Sequence, residues 1–129
     1  MFSLCLLPTF LLFGQIYFGG VPAYPYVTEY KQPDGSTLNI IMKGDEMVNW
    51  AVTEDGYSLI KNPINQGWEY AVVNSKNDMI SSGMLAHNPT ERNQSELLFL
   101  PSIQKGYQYS KKQIRTLRQQ FPLTRVTKI

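Results

Sequence analysis

Residues 37–61, TLNIIMKGDEMVNWAVTEDGYSLIK, decide the fold. Thr37 to Met42 alternates, with Leu38, Ile40 and Met42 on one face, the period of a half-buried strand. Lys43-Gly44-Asp45-Glu46 then reads as a turn. Met47 to Thr53 alternates again and groups Val48, Trp50 and Val52. Glu54-Asp55-Gly56 turns the chain once more, since Asp-Gly is a strong hairpin signal. Tyr57 to Lys61 follows as a further strand.

The same grammar extends in both directions. Upstream, Tyr26 to Gln32 is β-prone and leads into Pro33-Asp34-Gly35-Ser36, where Pro presets φ and Gly tolerates a positive φ. Downstream, an Asn-Pro loop (Asn62 to Gly67) precedes Trp68 to Val73, with Trp68, Tyr70 and Val72 on one side. Asn74 to Asp78 turns, and Met79 to Leu85 is a last strand interrupted by Gly83. Six short strands at about ten-residue spacing predict a mainly β fold: an antiparallel meander, curled or sandwiched. Trp50, Trp68 and Tyr70 are expected in its core, in preference to a sugar-stacking platform shared with Tyr57.

Beyond Leu85 the pattern changes. Asn88-Pro89 to Gln94 reads as a polar loop, and Leu97 to Leu100 as an apolar patch covering an open edge or face. Ser110-Lys111-Lys112-Gln113 has the form of a capping box. Ile114, Leu117 and Phe121 then form one helical stripe, and Pro122 is expected to end this C-terminal amphipathic helix.

The N-terminus is a separate matter. Phe2 to Phe18 is almost wholly apolar, and Val21-Pro22-Ala23 fits a cleavage site, with Gly20 competing. A secretory signal is favoured over a retained anchor or a buried helix, although no Lys or Arg precedes the run. Cleavage at Ala23 would leave a mature chain without cysteine, because Cys5 is the single one. The domain expectation is therefore a signal peptide over 1–23, a β-rich module over 24–100 and a basic linker with a short helix over 101–129. The expected location is secreted, periplasmic or cell-surface. The membrane is then met only through the signal, during export.

Charge divides the chain the same way. Residues 1–96 carry five Lys/Arg and ten Asp/Glu, or −5, and residues 97–129 carry seven Lys/Arg and no acid, or +7; the two sum to the net +2. The basic residues are spread out, and export argues against nucleic acid as a partner.

No catalytic constellation can be assembled. His87 is the single histidine, too few imidazoles for a usual zinc centre, and is expected to be solvated or bonded within its turn. A serine nucleophile would have His87 as its only imidazole base, and no Gly-x-Ser-x-Gly elbow occurs. The pairs Asp45-Glu46 and Glu54-Asp55 sit at turns, where acids are common. Asn93-Gln94-Ser95 is a glycosylation triplet to which no role is assigned. The chain is read as non-enzymatic and without a cofactor.

The ordered series Pro22-Ala23-Tyr24-Pro25, then Gln32-Pro33-Asp34-Gly35-Ser36-Thr37-Leu38, Gly44-Asp45-Glu46, Trp50, Thr53-Glu54-Asp55-Gly56-Tyr57-Ser58-Leu59 and Ser82-Gly83 resembles the N-terminal region of secreted bacterial zinc metalloproteases of the immune inhibitor A type. The resemblance covers about residues 22 to 100 and departs from the usual pattern at Met47-Val48 and Asn49. It implies a pro-domain or accessory module that helps fold, inhibit or target a protease, with the catalytic domain of a metalloprotease as partner, in cis or in trans. Such a module could block a zinc with a carboxylate of the turn bearing Asp45 and Glu46 or with His87, or cover the cleft sterically. Basic residues from Lys111 to Lys128 would supply sites for its release. The competing expectation is an exported, non-enzymatic binding module for a protein or glycan.

Overall fold

A computed structural model describes residues 22–127, with side chains to 120. The apolar N-terminal run, the alternative cleavage site at Gly20 and the last two residues lie outside the described residues, and so does the side chain of Phe121.

Six strands form one antiparallel sheet in sequence order: β1 (Val27–Lys31), β2 (Thr37–Gly44), β3 (Asn49–Thr53), β4 (Ser58–Lys61), β5 (Trp68–Val73) and β6 (Met79–Leu85). This is the expected meander. Each connection is a local hairpin, so no crossover helix is required. The turn glycines carry the positive φ that such hairpins demand, for example +91° at Gly35 and +101° at Gly56.

The sheet is open but curled. Gln32, at the end of β1, is buried, and its side-chain amide reaches the far end of the sheet. Its Nε2 donates to the carbonyls of Trp68 (3.0 Å) and Ala86 (2.8 Å), while its Oε1 accepts the Trp68 N–H at 3.0 Å. Tyr30 Oη donates to Gln66 O at 2.6 Å, and its ring meets Trp68 edge-on.

Inside the curl lies the core: Leu38, Ile40, Ala51, Leu59, Trp68, Tyr70, Ala86 and Leu100. Trp68 and Tyr70 belong to it as expected. Trp50 does not. Ala51 is the β3 residue facing this core, beside Met42 on β2 and Leu59 on β4, so Trp50 and Val52 point to the other face. There the half-buried Trp50 packs edge-on against Tyr109, 5.6 Å between centroids. Strand β3 is apolar on both sides because both are covered, and an alternating pattern cannot say which side holds the main core.

Residues 88–127 differ most from expectation. The polar loop contains a 3-10 turn (Pro89–Glu91) and leads into a short helix, α1 (Gln94–Phe99). Leu100 is buried beneath it, whereas Leu97 and Leu98 are exposed, so only part of the apolar patch covers the core. The helix α2 (Lys111–Thr127) begins at the expected capping box: Ser110 Oγ accepts the Gln113 N–H at 3.1 Å and Gln113 Oε1 accepts the Ser110 N–H at 2.9 Å. Pro122 does not end it. The helix continues to Thr127, and Pro122, lacking an N–H, donates no bond to the preceding turn.

Contacts cross the expected boundary at residue 100. Gly106 N donates to Gly56 O (3.1 Å), Ser58 Oγ to Tyr107 O (2.7 Å) and Ser110 Oγ to Asp78 Oδ1 (2.8 Å). Residues 105–110 thus run across the back of the sheet. Among the described residues no helix is long and apolar enough to cross a membrane.

Candidate functional site

The densest polar cluster lies at one end of the sheet and is built on the Tyr70 hydroxyl, which β5 holds in the core. Tyr70 Oη donates to Glu96 Oε2 at 2.8 Å. Glu96 is fully buried yet well bonded. Its Oε1 also accepts the Asn93 N–H at 3.0 Å, while Asn93 Oδ1 accepts the Glu96 N–H at 2.9 Å. Asn93 and Glu96 are therefore the reciprocal cap of α1.

His87 completes the cluster. Its Nδ1 is 2.7 Å from Glu96 Oε1 and its Nε2 is 2.7 Å from Asp34 Oδ2. The expectation of a solvated or turn-bonded imidazole is corrected: the ring bridges two carboxyl groups from distant parts of the chain. Burial works against the imidazolium, but the bonds to Asp34 and Glu96 outweigh it and raise the His87 pKa above its usual value. The His87 bond, helped by the Ser36 hydroxyl, lowers Asp34 to about 2. Burial, reinforced by the bond to Glu96, raises the Tyr70 hydroxyl well beyond its ordinary range.

A second arm joins from Arg92. Its guanidinium grips Asp55 bidentately at 2.8 and 2.9 Å, its Nε donates to His87 O at 3.2 Å, and it lies over the rings of Tyr57 and Tyr70. The Arg92 bond is the main reason the Asp55 pKa falls to about 2, and Thr53 Oγ1, donating at 2.7 Å, adds to it. Lys105 also lies over Tyr57, its Nζ 5.2 Å from the ring centroid.

The turn of Asp45 and Glu46 lies elsewhere. Asp45 Oδ1 accepts the N–H groups of Met47 and Val48, both at 2.9 Å, and its Oδ2 accepts from Arg118 at 3.0 Å. Partial burial opposes ionisation there, but these bonds prevail and lower the Asp45 pKa. Glu46 is exposed. Gly44 is required at this turn: its φ is +88°, and a Cβ would sit 2.0 Å from Val48 O. Residues 22 and 23 pack here too, as Pro22 bridges to Asp45 and Ala23 N donates to Gly44 O at 2.9 Å.

The motif residues therefore have identifiable work. Asp34 and Asp55 enter the cluster, Tyr57 flanks Arg92, and Glu54 accepts from Asn39 Nδ2 at 3.0 Å. Pro33 packs within reach of Gly67, where a Cβ would meet its Cγ at 2.9 Å. Sequence reading placed Gln32 in a motif without a role and missed Arg92 and Glu96. Asn93-Gln94-Ser95-Glu96 did carry a signal: beneath the glycosylation triplet it is an Asn-x-x-Glu capping box.

Chemically the cluster is a saturated lock. Both ring nitrogens of His87 face carboxyl oxygens, and Arg92 is spent on Asp55 and a carbonyl. Among the described residues, no group of three His, Cys, Asp or Glu is placed to hold a metal ion. No family model matches the chain, and neither does any curated protein or solved structure.

Proposed function

We propose that the chain is a non-catalytic N-terminal pro-domain or accessory module of an exported zinc metalloprotease precursor, serving the folding, inhibition or targeting of the protease domain. What supports this reading is the use made of the motif residues. Asp34, Asp45 and Asp55 stand on three successive hairpin turns, and each bonds a residue that follows the sheet: His87, Arg118 and Arg92 respectively. A shared motif that fastens a sheet to the segment leaving it fixes the direction of exit. A module that orients a following domain needs that property, and a catalytic site does not.

Within this reading the two acids of the 45–46 turn are unequal. Both Asp45 oxygens are engaged, so Glu46 is the carboxylate available to a partner's metal. The competing glycan reading would have to do without Trp68, which is buried, and would find Trp50 partly open beside Tyr109.

The test is to supply the module to its protease domain, in cis and in trans, and to measure activity and refolding yield. Inhibition or a higher yield is expected. Glu46→Ala separates a carboxylate switch, which would lose inhibition, from steric cover, which would keep it. No effect on activity or yield, and an unchanged location of the protease when the module is deleted in the cell, would together sink the proposal.

A further inference from the structure

We propose that the outer edge of β1 is a docking site for one extended strand of a partner polypeptide, selected by an acidic-x-basic-x-aliphatic pattern. This goes beyond the reading above, because it holds whatever chemistry the partner performs.

The two edges of the sheet are treated differently. At β6, the Gln113 side chain clasps the backbone, accepting from Met79 N and donating to Met79 O, each at 2.9 Å. Further along, Ser81 Oγ and Ser82 Oγ take the N–H groups of Gly83 and Met84, and a bulge with Gly83 at φ +85° spoils the flat register. These devices blunt an edge against further pairing. Strand β1 has none of them. It pairs in regular register with β2 over all five residues, four of which are exposed. Among the described residues, no side chain clasps its backbone as Gln113 clasps Met79. Its alternate outward N–H and C=O groups form a template for strand addition.

Cross-strand rows on the back face say what the added strand should carry. Val27 stands beside Ile41, which stands beside Val52, so this row is apolar. Glu29 stands beside Asn39, whose side chain is bonded to Glu54, so this row is acidic and ends exposed at β1. Lys31 stands beside Thr37 and leaves a cation at the end of the third row. An antiparallel seventh strand sets one residue opposite each of these. Complementarity asks for an acid beside Lys31, a base beside Glu29 and an aliphatic residue beside Val27. Past Val27, Tyr24 and Tyr26 are exposed and in edge-to-face contact, beside an open hollow of about 450 Å³ whose near side is Pro22, Tyr24 and Met42 and whose other lining is the polar Asp45, Glu46 and Asn49. The two tyrosine rings extend the surface for the next side chain of the incoming strand.

A second copy of the chain is the wrong occupant. Two β1 strands related by a two-fold about Glu29 would set like charges opposite each other, and the register about Tyr30 that matches Glu29 with Lys31 puts Pro33, which has no N–H to give the ladder, opposite Val27.

The test uses 15N-labelled protein and two synthetic peptides of equal composition, one with the acidic-x-basic-x-aliphatic order and one with the two charges exchanged. The matched peptide should shift and protect from exchange the amides of residues 26–31. It should bind about fivefold better than the exchanged one, as two cross-strand pairs turning from like to opposite charge would give. Glu29→Lys, a change at an exposed position, should remove or invert that preference. Failure of both peptides to bind, equal binding, perturbation centred away from β1, or a β1-mediated dimer in light scattering would each overturn the proposal.

Discussion

His87 stands between two carboxyl groups, with Glu96 at 2.7 Å from one ring nitrogen and Asp34 at 2.7 Å from the other. The three come from α1, the chain after β6 and the β1–β2 turn, so the imidazole ties the sheet's first hairpin to the segment that follows its last strand.

The tie is pH-dependent. The folded pKa of His87 lies above the usual 6.5, so its stabilisation is complete below about 6.5 and is lost as pH rises through the folded value. Asp34 is lowered from 3.8 to about 2, so its share is present above about 3.8 and is lost as pH falls through about 2. Urea unfolding midpoints should therefore be highest near pH 4 to 6.5 and decline on the alkaline side. In His87→Gln that alkaline decline should flatten; a decline of equal size in the variant would refute a charged His87 bridge.

Glu96 is the costliest residue of the cluster to remove. Glu96→Ala leaves His87 Nδ1 and the Asn93 N–H without this acceptor and the Tyr70 hydroxyl with only its long bonds to the His87 backbone (3.4 and 3.5 Å), and should destabilise by about 3 kcal/mol, the scale of breaking a buried charged network. Glu96→Gln retains an acceptor and should cost less. Denaturant titration checks both, and equal losses would contradict the bonding described here.

The two tryptophans should separate in the same assay. Trp68→Ala empties a core position and should cost about 3 to 5 kcal/mol, while half-buried Trp50→Ala should cost about half as much. A greater loss at Trp50 would place the main core on the other face of β3.

Glycine substitutions distinguish strain from collision. Gly35→Ala meets open space and carries only the penalty of its positive φ, about 1 kcal/mol. Gly44→Ala carries that penalty and also drives a Cβ onto the Val48 carbonyl, so it should cost at least about 1 kcal/mol more. Melting temperatures of the two variants, compared at one pH, decide this.

The meander was legible because hairpins are local: Asp55-Gly56 and Pro33-Asp34-Gly35 announce their own turns, and Trp68–Val73 and Met79–Leu85 coincide with the strands read from periodicity. What escaped was long-range. Nothing near His87 in sequence points to Asp34, 53 residues earlier. The alternation of Val48, Trp50 and Val52 points Trp50 to the core, yet Ala51 is the residue that fits between Met42 and Leu59. Arg92 and Glu96 looked like ordinary polar residues of a loop, since burial of a charged group is decided by partners that sequence spacing does not reveal.

Gln32 has a kinetic consequence. Its amide joins residues separated by 36 and 54 positions along the chain, so its bonds cannot form until the first and last hairpins both exist. Contacts of such separation close large loops and belong to the late stages of folding. Gln32→Ala should therefore leave the refolding rate nearly intact and accelerate unfolding, because an interaction absent from the transition state acts only on the way out. The residue that curls the sheet is in this sense a timer on how long the assembled fold persists.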